Sequence, residues 1–300
     1  MLSPDPFIGK RGYPLLLAAG ETADGTTTLV DRQHPHDLFM ELSATWAWLF
    51  GEGNSAFLYA ALPGEPAFGP PAFMHRTSTM MSPEAPITHH WLDSTHISFG
   101  VVTAGWVRDR LKLEVSQFTG REPDEDRYDI ERPRLDSAAI RASWNPGGRW
   151  SLQASWADVR SPEQLEPEVD ETRVSASAIY TMALDDERSW STTLAWGHKN
   201  PTEGESTNAL AFEMAYAPAR GWTLFGRAEW LETHELAPTE DNFEVAKMSA
   251  GAIREFRVTD RSRLGLGALY SFNSVASELE AAYGGSPEGA MVFMQFTAGT

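Results

Sequence analysis

The sequence predicts an all-β fold, an antiparallel transmembrane β-barrel, on three observations. Apolar residues recur at every second position through most of the chain, short turns alternate with long acidic connections, and Trp and Tyr fall on the apolar faces near segment ends. Successive side chains of a strand point to opposite faces, so each period-two run has one apolar and one polar-or-small face. A barrel with a wet interior and a lipid-facing exterior needs that alternation, with tight turns at one rim and long loops at the other.

The elements follow in chain order. Residues 1–37 read as a long outer-side loop, residues 38–50 as the first strand and 56–62 as the second. The connection at 64–94 carries Pro66, Pro70, Pro71, Pro83 and Pro86. A segment of this length is rarely structureless in a compact protein, so both long loops are expected to fold over or into the barrel. Strands are expected at 96–107 and 111–118. In 137–145 the apolar set is Ala138, Ile140, Ala142 and Trp144; in 150–157 it is Trp150, Leu152, Ala154 and Trp156. The pattern runs on through Val174–Met182, Leu210–Tyr216, Trp222–Trp230, Ala246–Val258 and Leu264–Phe272 to a last strand at 291–298. The opposite faces carry Ser, Thr and Gly with scattered charges (Lys112, Glu114, Arg141, Glu213, Arg227, Lys247), which suits a narrow wet lumen better than the surface of a soluble sandwich.

The segments number about thirteen, in one domain spanning residues 1–300. Bacterial single-chain barrels usually have an even number of strands. The expectation is therefore that Met1 is internal, with a signal peptide and one to three strands upstream, giving 14–16 strands in the complete protein. Met1–Asp5 then reads as the tail of a preceding strand.

Composition removes several function classes. Forty-two Asp and Glu against 24 Lys and Arg give a net charge of −18 with no basic stripe, which argues against a nucleic-acid partner. The absence of cysteine excludes a disulfide scaffold, a Cys-based zinc site and a thiol nucleophile. No run approaches the roughly 20 apolar residues that a spanning helix needs, and no Gly-rich phosphate loop opens a helix. The partners expected are outer-membrane lipid and lipopolysaccharide, small solutes or ions, and the barrel-assembly machinery during biogenesis. No organic cofactor is expected.

Six of the eight histidines lie between residues 34 and 96: His34, His36, His75, His89, His90 and His96. Asp37, Glu84, Asp93, Met74, Met80 and Met81 accompany them. In an extended chain His34-Pro35-His36 puts both imidazoles on one side. Imidazole with carboxylate suits Zn, Ni or Cu(II), so His34, His36, Asp37, His75, His89, His90, Asp93 and His96 form a candidate cluster for a divalent transition metal. The competing reading is a structural His–Asp network inside the lumen, since no standard metal spacing occurs. The leading function read from these features is passage of small solutes or ions through a partly occluded polar lumen, with metal binding as its rival.

An enzymatic reading rests on His96-Ile97-Ser98. At the start of a strand this H-x-S would place both side chains on one face, an arrangement similar to that of outer-membrane lipases and lipid A deacylases. A third, orienting group would have to come from Glu114 or Asp93. The motif is short and arises easily by chance.

Several loop motifs carry a resemblance. Pro4-Asp5-Pro6, Gly12-Tyr13-Pro14-Leu15-Leu16, Gly20-Glu21-Thr22-Ala23-Asp24-Gly25 and Asp31-Arg32-Gln33-His34-Pro35-His36-Asp37 resemble an uncharacterised family of proteobacterial outer-membrane proteins. So do Pro70-Pro71-Ala72-Phe73-Met74-His75-Arg76, His89-His90-Trp91-Leu92-Asp93-Ser94-Thr95-His96 and Gly120-Arg121-Glu122-Pro123-Asp124. The resemblance spans essentially the whole chain and implies an outer-membrane location and a longer N-terminus. It brings no established activity, although some relatives stand in metal-resistance settings.

Overall fold

The alternating segments form one sheet of thirteen antiparallel strands, each bonded to its neighbours in sequence. The computed structural model describes Ser3, Phe7, Gly9 and residues 11–237 and 241–298. Most of Met1–Asp5 and part of the connection at 234–243 lie outside the described residues.

The sheet begins with β3 (Ser43–Gly51), β4 (Asn54–Ala61), β5 (Val101–Arg108) and β6 (Leu111–Phe118). It continues with β7 (Ser137–Gly147), β8 (Trp150–Val159), β9 (Glu171–Ala183), β10 (Ser189–Pro201) and β11 (Thr207–Ala219). It ends with β12 (Trp222–Thr233), β13 (Phe243–Thr259), β14 (Ser262–Ser274) and β15 (Glu288–Ala298). Two-residue turns join β3 to β4, β5 to β6, β7 to β8, β11 to β12 and β13 to β14, five residues join β9 to β10 and again β10 to β11, and the other connections of the sheet are longer. One rim therefore carries the shorter turns and the other the longest loops, as the sequence parity predicts, except that the connection expected to be long at 199–207 is reduced to residues 202–206 because β10 and β11 extend into it.

The two faces of the sheet differ in chemistry. Leu194, Phe212, Ile140, Trp156 and Met248 point outward and are exposed. Glu213, Arg173, Ser175, Thr193, Arg227 and Lys247, from the alternate positions, are buried on the inner face. Leaving apolar side chains of this size in water costs roughly 1.5–3 kcal/mol each relative to burial. A contiguous band of them around a sheet with a charged interior is the surface of a barrel solvated by hydrocarbon.

Two departures from the sequence expectation have local causes. Residues 1–37 are not merely a loop: they hold a two-stranded hairpin, β1 (Tyr13–Thr22) and β2 (Thr28–Gln33), apart from the main sheet. Its register shifts between Pro14 and Ala19 and again between Gly20 and Thr22, so its apolar pattern loses the period of two. Strands β3 and β5 start later than expected, at Ser43 and Val101. Ile97 and Phe99 keep the alternation of β5 but pack with Met40 in a small separate cluster. Gly64 and Ser98 exchange backbone hydrogen bonds of 3.0 and 2.9 Å, pinning together the two ends of the β4–β5 connection.

That connection lies against the inner face of the sheet. Ala67 N–H donates to Ser116 Oγ (2.7 Å) and Gly69 N–H to Ser155 Oγ (2.9 Å). The Arg76 guanidinium donates twice to Glu213, at 2.8 and 2.6 Å, and once to Asp93 at 2.7 Å. Thr88 donates through N–H and hydroxyl to Glu229 Oε1, and Lys247 Nζ reaches Glu84 at 3.2 Å. A single helical turn, α1 (His89–Leu92), packs on β10 where Gly197 leaves room. A Cβ there would stand 2.4 Å from the Trp91 carbonyl oxygen.

Candidate metal centre

Five of the six clustered histidines come together, brought by three segments. His34 and His36 follow the end of β2, His89 and His90 sit side by side on α1, and His96 closes the 3-10 turn Ser94–His96. The ring centroids of His36 and His96 are 5.2 Å apart, those of His89 and His96 5.0 Å, and those of His34 and His36 5.3 Å. The proximity expected of His34-Pro35-His36 thus holds, but the two rings serve different sets.

The inner set is His36, His89 and His96, whose candidate ligand atoms all lie within 4.8 Å of one another. Two of its rings are anchored on the far side. His89 Nδ1 bonds Asp93 Oδ1 at 2.7 Å, and His96 Nδ1 bonds the Asp93 carbonyl oxygen at 2.7 Å. The Nδ1 atoms being donors, Nε2 of both rings carries the lone pair; both are buried without a hydrogen-bond partner. A buried polar atom left without a partner costs about 1–3 kcal/mol, and an imidazole held through Nδ1 by a carboxylate is how metal-ligating histidines are oriented. Burial lowers the pKa of His89 against the pull of Asp93, and lowers that of His96 well below its ordinary value with His89 and His36 adding to it. Both rings are then neutral, as metal ligands must be. The residues fit a first-row transition ion: three imidazoles, with a fourth position open to water or a further donor.

The outer set is Glu21, His34 and His90. The Glu21 carboxylate lies 2.5 Å from His34 Nδ1 and 3.1 Å from His90 Nε2. A β-bulge aims it there: Gly20 has φ 91° and Glu21 φ 52°, a left-handed conformation uncommon outside glycine. A Cβ on Gly20 would stand 2.7 Å from Glu235 Oε2, which places that carboxylate close to the bulge. Burial opposes the charge on Glu21, but His34 and His90 outweigh it and hold the carboxyl well below its usual range. Burial pushes His34 down to about 4. For His90 burial is outweighed by Glu21, Glu163 and Glu235, and its pKa rises.

The remaining candidates stand apart from these sets. His75 is exposed in the 3-10 turn Phe73–His75. Asp37 pairs with Arg127 at 3.4 Å, and burial raises its carboxyl to about 7. Asp93 orients His89 and is itself held by Arg76. Met74 and Met81 pack against apolar side chains. The H-x-S element does not start a strand, because the chain is still turning at 94–96 and β5 begins only at Val101. The Ser98 hydroxyl donates to the Thr95 carbonyl oxygen (3.1 Å), while His96 is bound to that of Asp93. The two side chains are thus tied to different carbonyls.

Sequence reading missed Glu21, Glu163 and Glu235. The last two join His90 in a third group within the same 4.8 Å limit. They come from connections more than 70 residues apart, and no local spacing announces them.

No family model matches the chain, and no curated protein matches it in sequence. Among solved structures it is similar to a loop-deletion mutant of OmpT, an outer membrane protein of Vibrio cholerae, at 9% identity and TM-score 0.44 over 85% of this chain and 89% of that one. It is similar to an anion-selective porin from Comamonas acidovorans at 9% identity and TM-score 0.43, over 93% and 90% of the two chains. With OpdQ of Pseudomonas aeruginosa the values are 10% and 0.43, over 95% and 75%.

Proposed function

We propose that this outer-membrane β-barrel binds a divalent transition-metal ion on His36, His89 and His96, at the long-loop end of a lumen partly occluded by the β4–β5 connection. The observation that carries the reading is the convergence of three buried imidazoles, two of them tied at Nδ1 and unpartnered at Nε2. Three nitrogen donors suit Zn, Cu(II) or Ni rather than Mg or Ca, which take oxygen. The bound ion would supply a Lewis-acidic position with one site free. The protein supplies the orientation: Arg76 fixes Asp93, Asp93 fixes His89 through its side chain and His96 through its backbone, and the 3-10 turn holds His96 beside α1. Capture of a metal ion at the cell surface is the function this arrangement supports.

Calorimetric titration of the full chain in detergent with Zn(II), Cu(II) and Ni(II) tests it. Stoichiometric binding to the wild type, lost in a His36→Ala, His89→Ala, His96→Ala variant that keeps heat-modifiable barrel migration, is the expected result. Asp93→Asn should weaken binding roughly 10–100-fold. A wild type that binds none of the three ions, or a triple variant that binds as well as the wild type, would overturn the reading.

A second reading is passage of small solutes or ions. It is favoured by a cavity of about 800 Å³ beneath the connection, lined by Tyr59, Glu65, Lys112, Glu114 and Arg141 and reaching the short turns at Asp109 and Gly148. Such passage requires the connection to move.

A further inference from the structure

We infer that His90, Glu163 and Glu235 form a second cation site, mixed in carboxylate and imidazole, beside the three-histidine centre, with Glu21 holding the His90 ring at Nε2. His90 stands in two groups at once, one with Glu21 and His34, the other with Glu163 and Glu235, each with its ligand atoms within 4.8 Å. The alternative is a network satisfied by its own hydrogen bonds, and it accounts for only part of the geometry. Glu21 is satisfied by His34 and His90. By contrast, His90 Nδ1 and Glu163 Oε1 are buried with no hydrogen-bond partner, and the His90 side chain is only 9% exposed.

Charge points the same way. Arg121, Arg173 and Lys199 are the nearby cations, and the last two bond Glu171, at 2.6 and 3.2 Å. Glu21, Glu122, Glu163 and Glu235 thus share at most one further positive charge from Arg173 and Lys199, beside that of Arg121, so the four carboxylates still outnumber the arginine and lysine cations. Buried carboxylates in such a ratio must take up protons or a cation. A divalent cation fills this role on His90, Glu163 and Glu235, whose ligand atoms lie within 4.8 Å of one another. A small cavity of about 60 Å³ lined by Glu21, Glu122, Glu163 and Glu235 opens there, bordered by exposed Leu165 and Glu166. Carboxylate and imidazole together suit Zn, Ni, Co(II) or Mn(II). From His90 the next ring is that of His89, 5.8 Å away by centroid. The second site therefore lies beside the first, with its carboxylates lining the cavity that borders the exposed residues.

The site does not depend on the inner centre, and counting ions separates the two. Equilibrium dialysis of the full chain against Zn(II) should give two ions per chain. Glu163→Gln with Glu235→Gln should leave one, and His36→Ala with His96→Ala should leave one. A wild type that binds a single ion lost with the histidine pair would overturn the second site and leave the inner centre standing. A single ion lost with the glutamate pair would do the reverse. Two ions retained in the glutamate variant, or none in the wild type, would also overturn the second site. If the glutamate variant fails to reach the heat-modifiable barrel form, the histidine pair decides: an ion retained after its loss supports the second site, and none retained overturns it.

Discussion

Arg76 shows how much of the interior depends on single side chains. Its guanidinium is buried and donates to Glu213 and Asp93, both also buried. Removing one partner of such a set leaves charges in low dielectric with nothing opposite them, which costs about 3–5 kcal/mol. Arg76→Ala should therefore destabilise the refolded protein by about that amount in urea unfolding. Arg76→Lys should recover only part of the loss, because an ammonium cannot match a bidentate carboxylate while also reaching a second one. Equal stabilities for wild type and Arg76→Ala would mean that water enters the lumen and solvates Glu213. At this scale the sequence disclosed the imidazoles through their clustering between residues 34 and 96, and His34-Pro35-His36 through its spacing. It did not disclose Arg76 as the residue that fixes Asp93, nor Glu21, Glu163 and Glu235 as neighbours of His90. Those contacts exist only after strands far apart in sequence have been placed side by side.

The elements divide in the same way. Most strands of the main sheet were legible because a face in contact with lipid enforces period two, and the parity of short and long connections was legible, except around β10, because turns at one rim have nothing to enclose. The β1–β2 hairpin was not, since Leu17, Glu21 and Asp31 all take positive φ and the bulges break its alternation. The start of β5 was misplaced because Ile97 and Phe99 alternate like a strand while packing with Met40. The β4–β5 connection is the element with most to reveal. Its two ends already pair, Gly64 with Ser98, so a short Gly-Ser turn can replace residues 65–97 without moving β4 or β5. In planar bilayers the intact chain should be closed or briefly conducting, and the shortened chain should show steady conductance steps. Silence from a shortened chain that still migrates as a heat-modifiable barrel would show that the connection is not what blocks the lumen. The hairpin and the remaining long loops would then be the barrier.

For the whole molecule the question is which solvent the outer face meets. A soluble barrel and a membrane barrel share the same alternation, and an exposed leucine alone distinguishes nothing. Position along the strand does. Leu194 lies midway along β10, paired with Phe212 on one side and Ala178 on the other, and is half exposed. Val258 lies near the short-turn end of β13 and is exposed to a similar degree. In a bilayer an arginine on the lipid face costs about 2–4 kcal/mol at the midplane and about 0–1 near the interface. In water both substitutions would fall within about 0.5 kcal/mol of neutral. Urea unfolding in lipid vesicles should therefore show Leu194→Arg several times more destabilising than Val258→Arg, with the two converging when hydrocarbon thickness no longer separates them, as in a small detergent micelle. Two small and equal effects in vesicles would place this face in water, and the charged interior would then have to be explained as the core of a soluble protein. That explanation is hard to sustain, because a core this rich in paired Arg, Lys and Glu, with its large apolar side chains outside, inverts the partition that folding in water favours.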